Sequence, residues 1–346
     1  MRWYFIYALK CPRLVADALY WRGMATHQQV DKEKVQTYYR HDLHCFHGPA
    51  VVYANGDQEW WIEGRLHRLD GPAKRGRKGT KKWYVDGKLH RLNGPALCTR
   101  FGTKVWSVDG KLHRLDGPAV KYSDGIRNWW TNGKLHRLDG PAVVDKHRLE
   151  WWANGERHRV DGPAIIKDNG RQEWWVGNRR HRVDGPAVVK SSGNEQWWFN
   201  NQLHRVDGPA VVKGNGDQQW WSHGRLHRIG GPAVINGDND QGWYVNGRRH
   251  RDDGPAFIEG SGSQQWWVDG QLHRVDGPAV TANDGCQQWW YVNGRRHRDD
   301  GPAFIGGNGD QQWWFDNQLH RIDGPAVIKD NGDQQWWING VRQASP

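Results

Sequence analysis

Gln265-Trp266-Trp267-Val268-Asp269-Gly270-Gln271-Leu272-His273-Arg274-Val275-Asp276-Gly277-Pro278-Ala279-Val280 is one copy of a phrase that fills most of this chain. Its Gly-Pro-Ala core occurs thirteen times, from Gly48 to Gly324, at intervals of 23 residues broken once by 22 and once by 24. A fixed period of this length marks a repeat array, in which each unit packs on its neighbours. Fold and function must therefore be read from the unit.

Each unit carries two turn signals. Asp269-Gly270, like Asn132-Gly133 and Asn246-Gly247, supplies the positive φ angles of a two-residue hairpin turn. A second Gly-rich turn follows the Val-Val arm, as at Asn169-Gly170 and Asn331-Gly332. The short unit loses its residue between Val144 and Trp151, and the long one gains a residue between Trp290 and Gly294. Length changes that fall in turns support the assignment.

Two turns per period imply two strands per unit. The expected fold is all-β: an elongated array of about twelve 23-residue β-hairpins forming a twisted antiparallel meander behind a small N-terminal cap. At roughly 4.8 Å per strand such an array would run on the order of 120 Å. The alternative is a closed β-helix with one coil per unit; the regular hairpin turns favour the open meander. Residues 1–37 lack the repeat and form the cap, with a weak helical pattern from Pro12 to Gln28 through Leu14, Ala18 and Trp21. The array occupies 38–346, opening on Tyr38-Tyr39 in place of a Trp arm.

Hairpin geometry assigns the faces. With Asp269-Gly270 central, Val268 lies opposite Gln271, Trp267 opposite Leu272 and Trp266 opposite His273. The first Trp, counted from Trp60 to Trp336 and including Trp289, and the His, from His44 to His320, occur in every copy. Their face reads as the packed ladder. The second aromatic varies, to Tyr84, Ser107 and Tyr244, and its Leu partner becomes Arg157, Arg180, Arg249 and Arg296. This second face reads as partly exposed.

That stripe is Trp130, Trp152, Trp175, Trp198, Trp221, Tyr244, Trp267, Trp290 and Trp314, interleaved with the four arginines. Three readings fit it: packing, a protein-binding surface rich in Trp and Arg, or a platform for sugar rings or single-stranded bases. Cation–π stacking is open to the arginines in each case.

The unit resembles a MORN repeat in variant form. The matching residues run Trp129-Trp130-Thr131-Asn132-Gly133-Lys134-Leu135-His136 and then Gly140-Pro141-Ala142. Asp-Gly-Pro-Ala stands where that family has Gly-x-Gly, and Trp where it has a leading Tyr. The resemblance covers about 300 residues and implies an extended β scaffold for protein contacts or self-association, sometimes near membranes. Expanded sets of such proteins occur in large DNA viruses of amoebae, and this chain looks like that type.

His-Arg-x-Asp invites a catalytic or zinc reading. A catalytic site, however, needs one distinguished constellation, and this one recurs throughout. Asp is replaced by His47, Asn93 and Gly230, and Arg by Cys45. The phrase therefore reads as structural, with no catalytic residue, metal site or cofactor.

The net charge is +11 and the pI near 9.5, which favours acidic partners such as anionic lipid or nucleic acid. The excess is uneven. Lys74, Arg75, Arg77, Lys78, Lys81 and Lys82 form a dense run, either a solvated loop or a phosphate-contacting patch, whereas later units carry Gln there. Hydrophobic content is only 36%, a deficit offset by 25 tryptophans. Cys11, Cys45, Cys98 and Cys286 show no pairing pattern, which points to a reducing compartment. Residues 3–9 are apolar but too short to span a bilayer. An intracellular, cytoplasmic protein is expected, with the virion as a second setting. The last Trp arm, Trp336-Trp337-Ile338, has no His arm after it and reads as an unpaired edge strand inviting another chain.

The functional expectation is a non-enzymatic scaffold for a protein partner or a homo-oligomer. The alternative is a binder of phospholipid headgroups or nucleic acid through residues 74–82.

Overall fold

The computed structural model describes residues 26–39, 41–45, 47–282 and 285–344. Cys11 and the part of the weak helical pattern before residue 26 lie outside these. From Thr26 the chain is strand, so the helix expected as far as Gln28 is corrected there. No helix among the described residues is long and apolar enough to cross a membrane. The chain divides into two units, Met1–Arg159 and Val160–Pro346, and the described residues of each are a run of antiparallel hairpins with the same repeat.

Each copy has the two arms expected from its turns, but both arms are broken in the middle. Gln264–Gln265 pairs with Phe257–Ile258 on one side and with Val280–Ala282 on the other. Strands of this kind build a continuous ladder within each unit. Past Trp266 the chain leaves the ladder and closes a separate small hairpin, Trp267–Val268 against Gln271–Leu272. Its turn residues Asp269 and Gly270 have φ of 47° and 84°, the double positive φ of a type I′ turn.

The breaks have a chemical cause. Pro278 has no N–H to give a ladder and holds φ near −65°, so the return arm cannot continue straight from hairpin to ladder. The gap is bridged instead. Trp266 N–H donates to the Ala279 carbonyl at 2.8 Å, and His273 N–H to the Trp266 carbonyl at 3.1 Å. Ala279 sits in this bend with 0% of its surface exposed, as do the alanines of its neighbours. Nothing larger than a methyl group fits. Successive small hairpins are also bonded: Gly270 N–H reaches the Arg249 carbonyl at 2.9 Å, and Arg251 N–H the Trp267 carbonyl at 3.2 Å.

The bend also packs the face expected to be partly exposed. Trp267 Nε1 donates to the Gln265 side chain at 3.1 Å, and Arg249 lies 4.6 Å from the Phe257 ring. The small hairpin thus lays its second-aromatic face on the ladder. On this face lie the buried Val51, Val188, Glu59, Glu150 and Glu173, and Ser107 at the second-aromatic position. The Trp–His face expected as the packed ladder is half-buried as well, with His44 fully buried.

Two placements also differ. In the long repeat Trp290, not Trp289, occupies the first-Trp position: its N–H donates to the Ala303 carbonyl at 2.8 Å. Tyr291 takes the second position opposite Arg296, while Trp289 is a ladder residue opposite Val280. The extra residue therefore lies in the outer turn. At the C-terminal end, Trp337–Ile338 pairs with Val341–Arg342, and Gln343 N–H bonds the Trp336 carbonyl at 2.8 Å. The edge strand expected at Trp336, Trp337 and Ile338 is thereby corrected, because three residues after Gly340 suffice to close the hairpin. Gln334–Gln335 pairs with Val327–Ile328 and, among the described residues, with no further strand. At the other end, Lys34–Tyr39 pairs with Thr26–Val30 and with Val51–Tyr53, so residues 26–37 join the ladder.

Candidate functional site

The recurring phrase is a guanidinium cradle. Arg274 lies with Cζ 4.0 Å from the centroid of Trp266. Its Nε donates to Asp276 Oδ1 at 3.3 Å and its Nη1 to the Pro278 carbonyl at 3.3 Å. Gly277 closes on the same guanidinium, where an added Cβ would stand 3.0 Å from Cζ. The glycine is therefore required by close approach. The same stack recurs from Arg68 on Trp60 to Arg321 on Trp313, at 3.9 to 4.2 Å. Hydrogen bonds from arginine hold the carboxyls of Asp70, Asp116, Asp139, Asp184, Asp253 and Asp300 below the usual carboxylate range. The first copy lacks both ring and cation together: Thr37 takes the Trp position, its N–H on the Ala50 carbonyl, and Cys45 the Arg position.

The histidine joins one copy to the next. His273 Nδ1 accepts the backbone N–H of Asn293 in the following hairpin turn at 3.1 Å, and the bond recurs from His44 to His320. It requires an unprotonated Nδ1. Burial lowers the pKa of His44 and of His204, the latter further lowered by His223. These two rings are biased toward the neutral state the bond needs.

The second-aromatic stripe is engaged internally. Trp130, Trp152, Trp175, Trp198, Trp221, Tyr244, Trp267 and Trp314 are all half-buried. Indole N–H groups donate to the Glu or Gln two residues earlier, as in Trp152 to Glu150 at 2.9 Å and Trp314 to Gln312 at 3.0 Å. Arg180, Arg249 and Arg296 sit between successive rings, and Arg157 lies 4.7 Å from Trp152. Arg180 lies 4.9 Å from Trp175 and 5.3 Å from Trp198, and Arg296 lies 5.9 Å from Tyr291 and 5.1 Å from Trp314. Each has a compensating group: Glu150 beside Arg157, Glu173 beside Arg180, and the hydroxyls of Tyr244 and Tyr291 on Arg249 and Arg296. Among the described residues no cluster of His, Cys, Asp or Glu has the arrangement of a metal site.

The basic run is divided between faces. Lys74 lies opposite Lys82 and bridges to Glu59 at 2.8 Å. Arg75 lies opposite Lys81, exposed, with Arg77 and Lys78 exposed in the turn between. The whole positive excess belongs to the same unit. Residues 1–159 hold 29 Lys and Arg against 16 Asp and Glu, a net +13, while 160–346 hold 20 against 22, a net −2.

One row escaped the sequence reading. The residue between Arg and Asp points outward: Leu69, Leu92, Leu115 and Leu138 in the first unit, and Val160, Val183, Val206, Ile229, Val275 and Ile322 in the second. Each is 73% to 85% exposed. In the sequence Asp252 and Asp299 interrupt the series, and the first copy carries Phe46 at this position. The signal was an aliphatic residue recurring at a position whose neighbours on both sides are charged.

The fold and these contacts define an all-β hairpin-repeat array. Compared with protein-family models and with curated proteins, the sequence matches none.

Proposed function

We propose that this protein is a non-enzymatic repeat scaffold that docks protein surfaces along its outward aliphatic row. The observation carrying the reading is that row: leucine, valine or isoleucine more than 70% exposed, at the repeat spacing, in copy after copy. Large aliphatic side chains held in water at a regular interval favour a partner that covers them. A second copy of the chain presents the same interval, so self-assembly meets the spacing without a new protein. The MORN-like period and turns support a scaffold, and virion assembly or a host-interaction setting is consistent with it. The His-Arg-x-Asp groups are occupied in copy after copy by the cradle and the inter-copy bond, which argues against an enzyme.

Light scattering of the full chain over a wide concentration range tests this. Association that weakens in a Leu92→Asp, Leu115→Asp double variant is expected. A chain that stays monomeric throughout and retains no protein in pull-down sinks the reading.

A further inference from the structure

The outward ladder row of the first unit is a line of cations. Cross-strand partners run Arg75 to Lys81, Lys81 to Cys98, Cys98 to Lys104, Lys104 to Lys121 and Lys121 to Arg127. Five of the six are basic, and all five are exposed. Among the described residues none of the five forms an ion pair, although Lys121 Nζ lies 5.8 Å from the Trp106 ring. The carboxylates beside Lys121 and Arg127 along the chain are engaged elsewhere, Asp116 by Arg114 at 3.0 Å and Asp124 by the Ile126 N–H at 3.1 Å. Like charges directly opposite on a sheet destabilise it. The row contains three such pairs: Arg75 with Lys81, Lys104 with Lys121, and Lys121 with Arg127. The same register in the second unit is neutral apart from Glu195, as in Ile258 with Gln264 and Ile235 with Gln241. The repeat does not need the cations, so their presence against a folding cost calls for a ligand.

Two features identify its chemistry. The row is one residue wide and spans five strand intervals, roughly 24 Å. That shape matches a linear polyanion. Exposed rings stand in the turns beside it: Phe101, 70% exposed, in the turn between Cys98 and Lys104, and Tyr122, 43% exposed, directly after Lys121. Arg100 lies 4.2 Å from the Phe101 ring and leaves the ring otherwise open. A cationic track flanked by open aromatic rings is the recognition chemistry of single-stranded nucleic acid, with phosphates on the cations and unpaired bases on the rings.

We propose that the row Arg75, Lys81, Lys104, Lys121 and Arg127, with Phe101 and Tyr122, binds single-stranded nucleic acid.

The test titrates full-length protein into a fluorescent single-stranded thymidine oligonucleotide at several salt concentrations. Five phosphate contacts predict a slope of log K against log salt of about −3.5. Changing all five cations to Gln should abolish that slope and most of the affinity, with an unfolding midpoint no lower than the parent's confirming that the variant is folded. Phe101→Ala should weaken binding about tenfold while leaving the slope intact. A control variant removes Arg65, Lys88, Lys111 and Lys134, exposed on the small hairpins of the same unit among Glu63, Asp86 and Asp109. It should bind like the parent. The proposal is overturned if the control loses as much affinity as the row variant, since bulk charge would then be responsible. Equal binding of duplex DNA, or binding of phosphatidylserine vesicles in place of the oligonucleotide, overturns it as well.

Discussion

Residues 26–159 and 160–344 are two editions of one unit. In both, the arginine lies on the first tryptophan, the glycine leaves room for it, and the buried alanine marks the bend: Arg114, Trp106, Gly117 and Ala119 in one, Arg274, Trp266, Gly277 and Ala279 in the other. They part company most where side chains face water. The outward ladder row is Lys104, Lys121 and Arg127 in the first and Gln241, Ile258 and Gln264 in the second. The aliphatic row is leucine in the first and Val or Ile in the second. The backbone solution is therefore independent of the outward chemistry, and the chemistry can be changed without disturbing the fold.

The strongest way to sharpen that comparison is to move the cations. Gln218→Lys, Gln241→Lys and Gln264→Lys, placed in full-length protein whose first-unit row has been changed to Gln, should restore a salt slope of about −2 in oligonucleotide titrations, one increment of 0.7 per contact. A variant that folds but regains no salt-dependent binding would show that the first unit contributes more than its row.

A smaller effect tests what the units share. Ala119→Leu and Ala279→Leu force a larger side chain into the fully buried bend, and each should destabilise by about 1–3 kcal/mol in denaturant unfolding. The two values should agree; a marked difference would mean that the bend is built differently in the two regions.

The smallest effect comes from pH. Burial depresses the pKa of His44 and His204, so the folded state binds fewer protons at these rings than the unfolded chain. Their contribution is complete above the ordinary histidine range, about 6.5, and is lost as pH falls through the lowered folded-state values. Stability should therefore decline from pH 7 toward pH 5, and His204→Gln should flatten part of that decline. An unaltered pH profile would remove His204 from the account.

Much of the fold was legible because the turns speak for themselves. Asp269-Gly270 fixes a hairpin, and the pairing of Trp267 with Leu272 and Val268 with Gln271 follows from it. The bend at Gly277-Pro278 was harder to read. Alternation along a strand assigns faces only while the strand continues, and Pro278 ends it, so the packing of the second-aromatic face on the ladder did not follow from it. Trp290 was misplaced for a related reason. Adjacent Trp289 and Trp290 look like any other Trp pair, and only the bond from Trp290 N–H to Ala303 tells that the extra residue lies in the outer turn. The cation row was half visible. Arg75 and Lys81 belong to a dense run, whereas Lys104, Lys121 and Arg127 are scattered in sequence and meet only through strand register.

Adjacent residues of the opening phrase separate the fold from the surface most directly. Arg274 holds Trp266, Asp276 and Pro278, while its neighbour Val275 is 83% exposed. Denaturant unfolding of Arg274→Ala and Val275→Ala is the measurement. Arg274→Ala should lose about 1–2 kcal/mol through the ring stack and its hydrogen bonds, and Val275→Ala should stay within about 0.5 kcal/mol of the parent. Equal losses, or a larger loss at Val275, would contradict the division of each repeat into an internal cradle and an outward row.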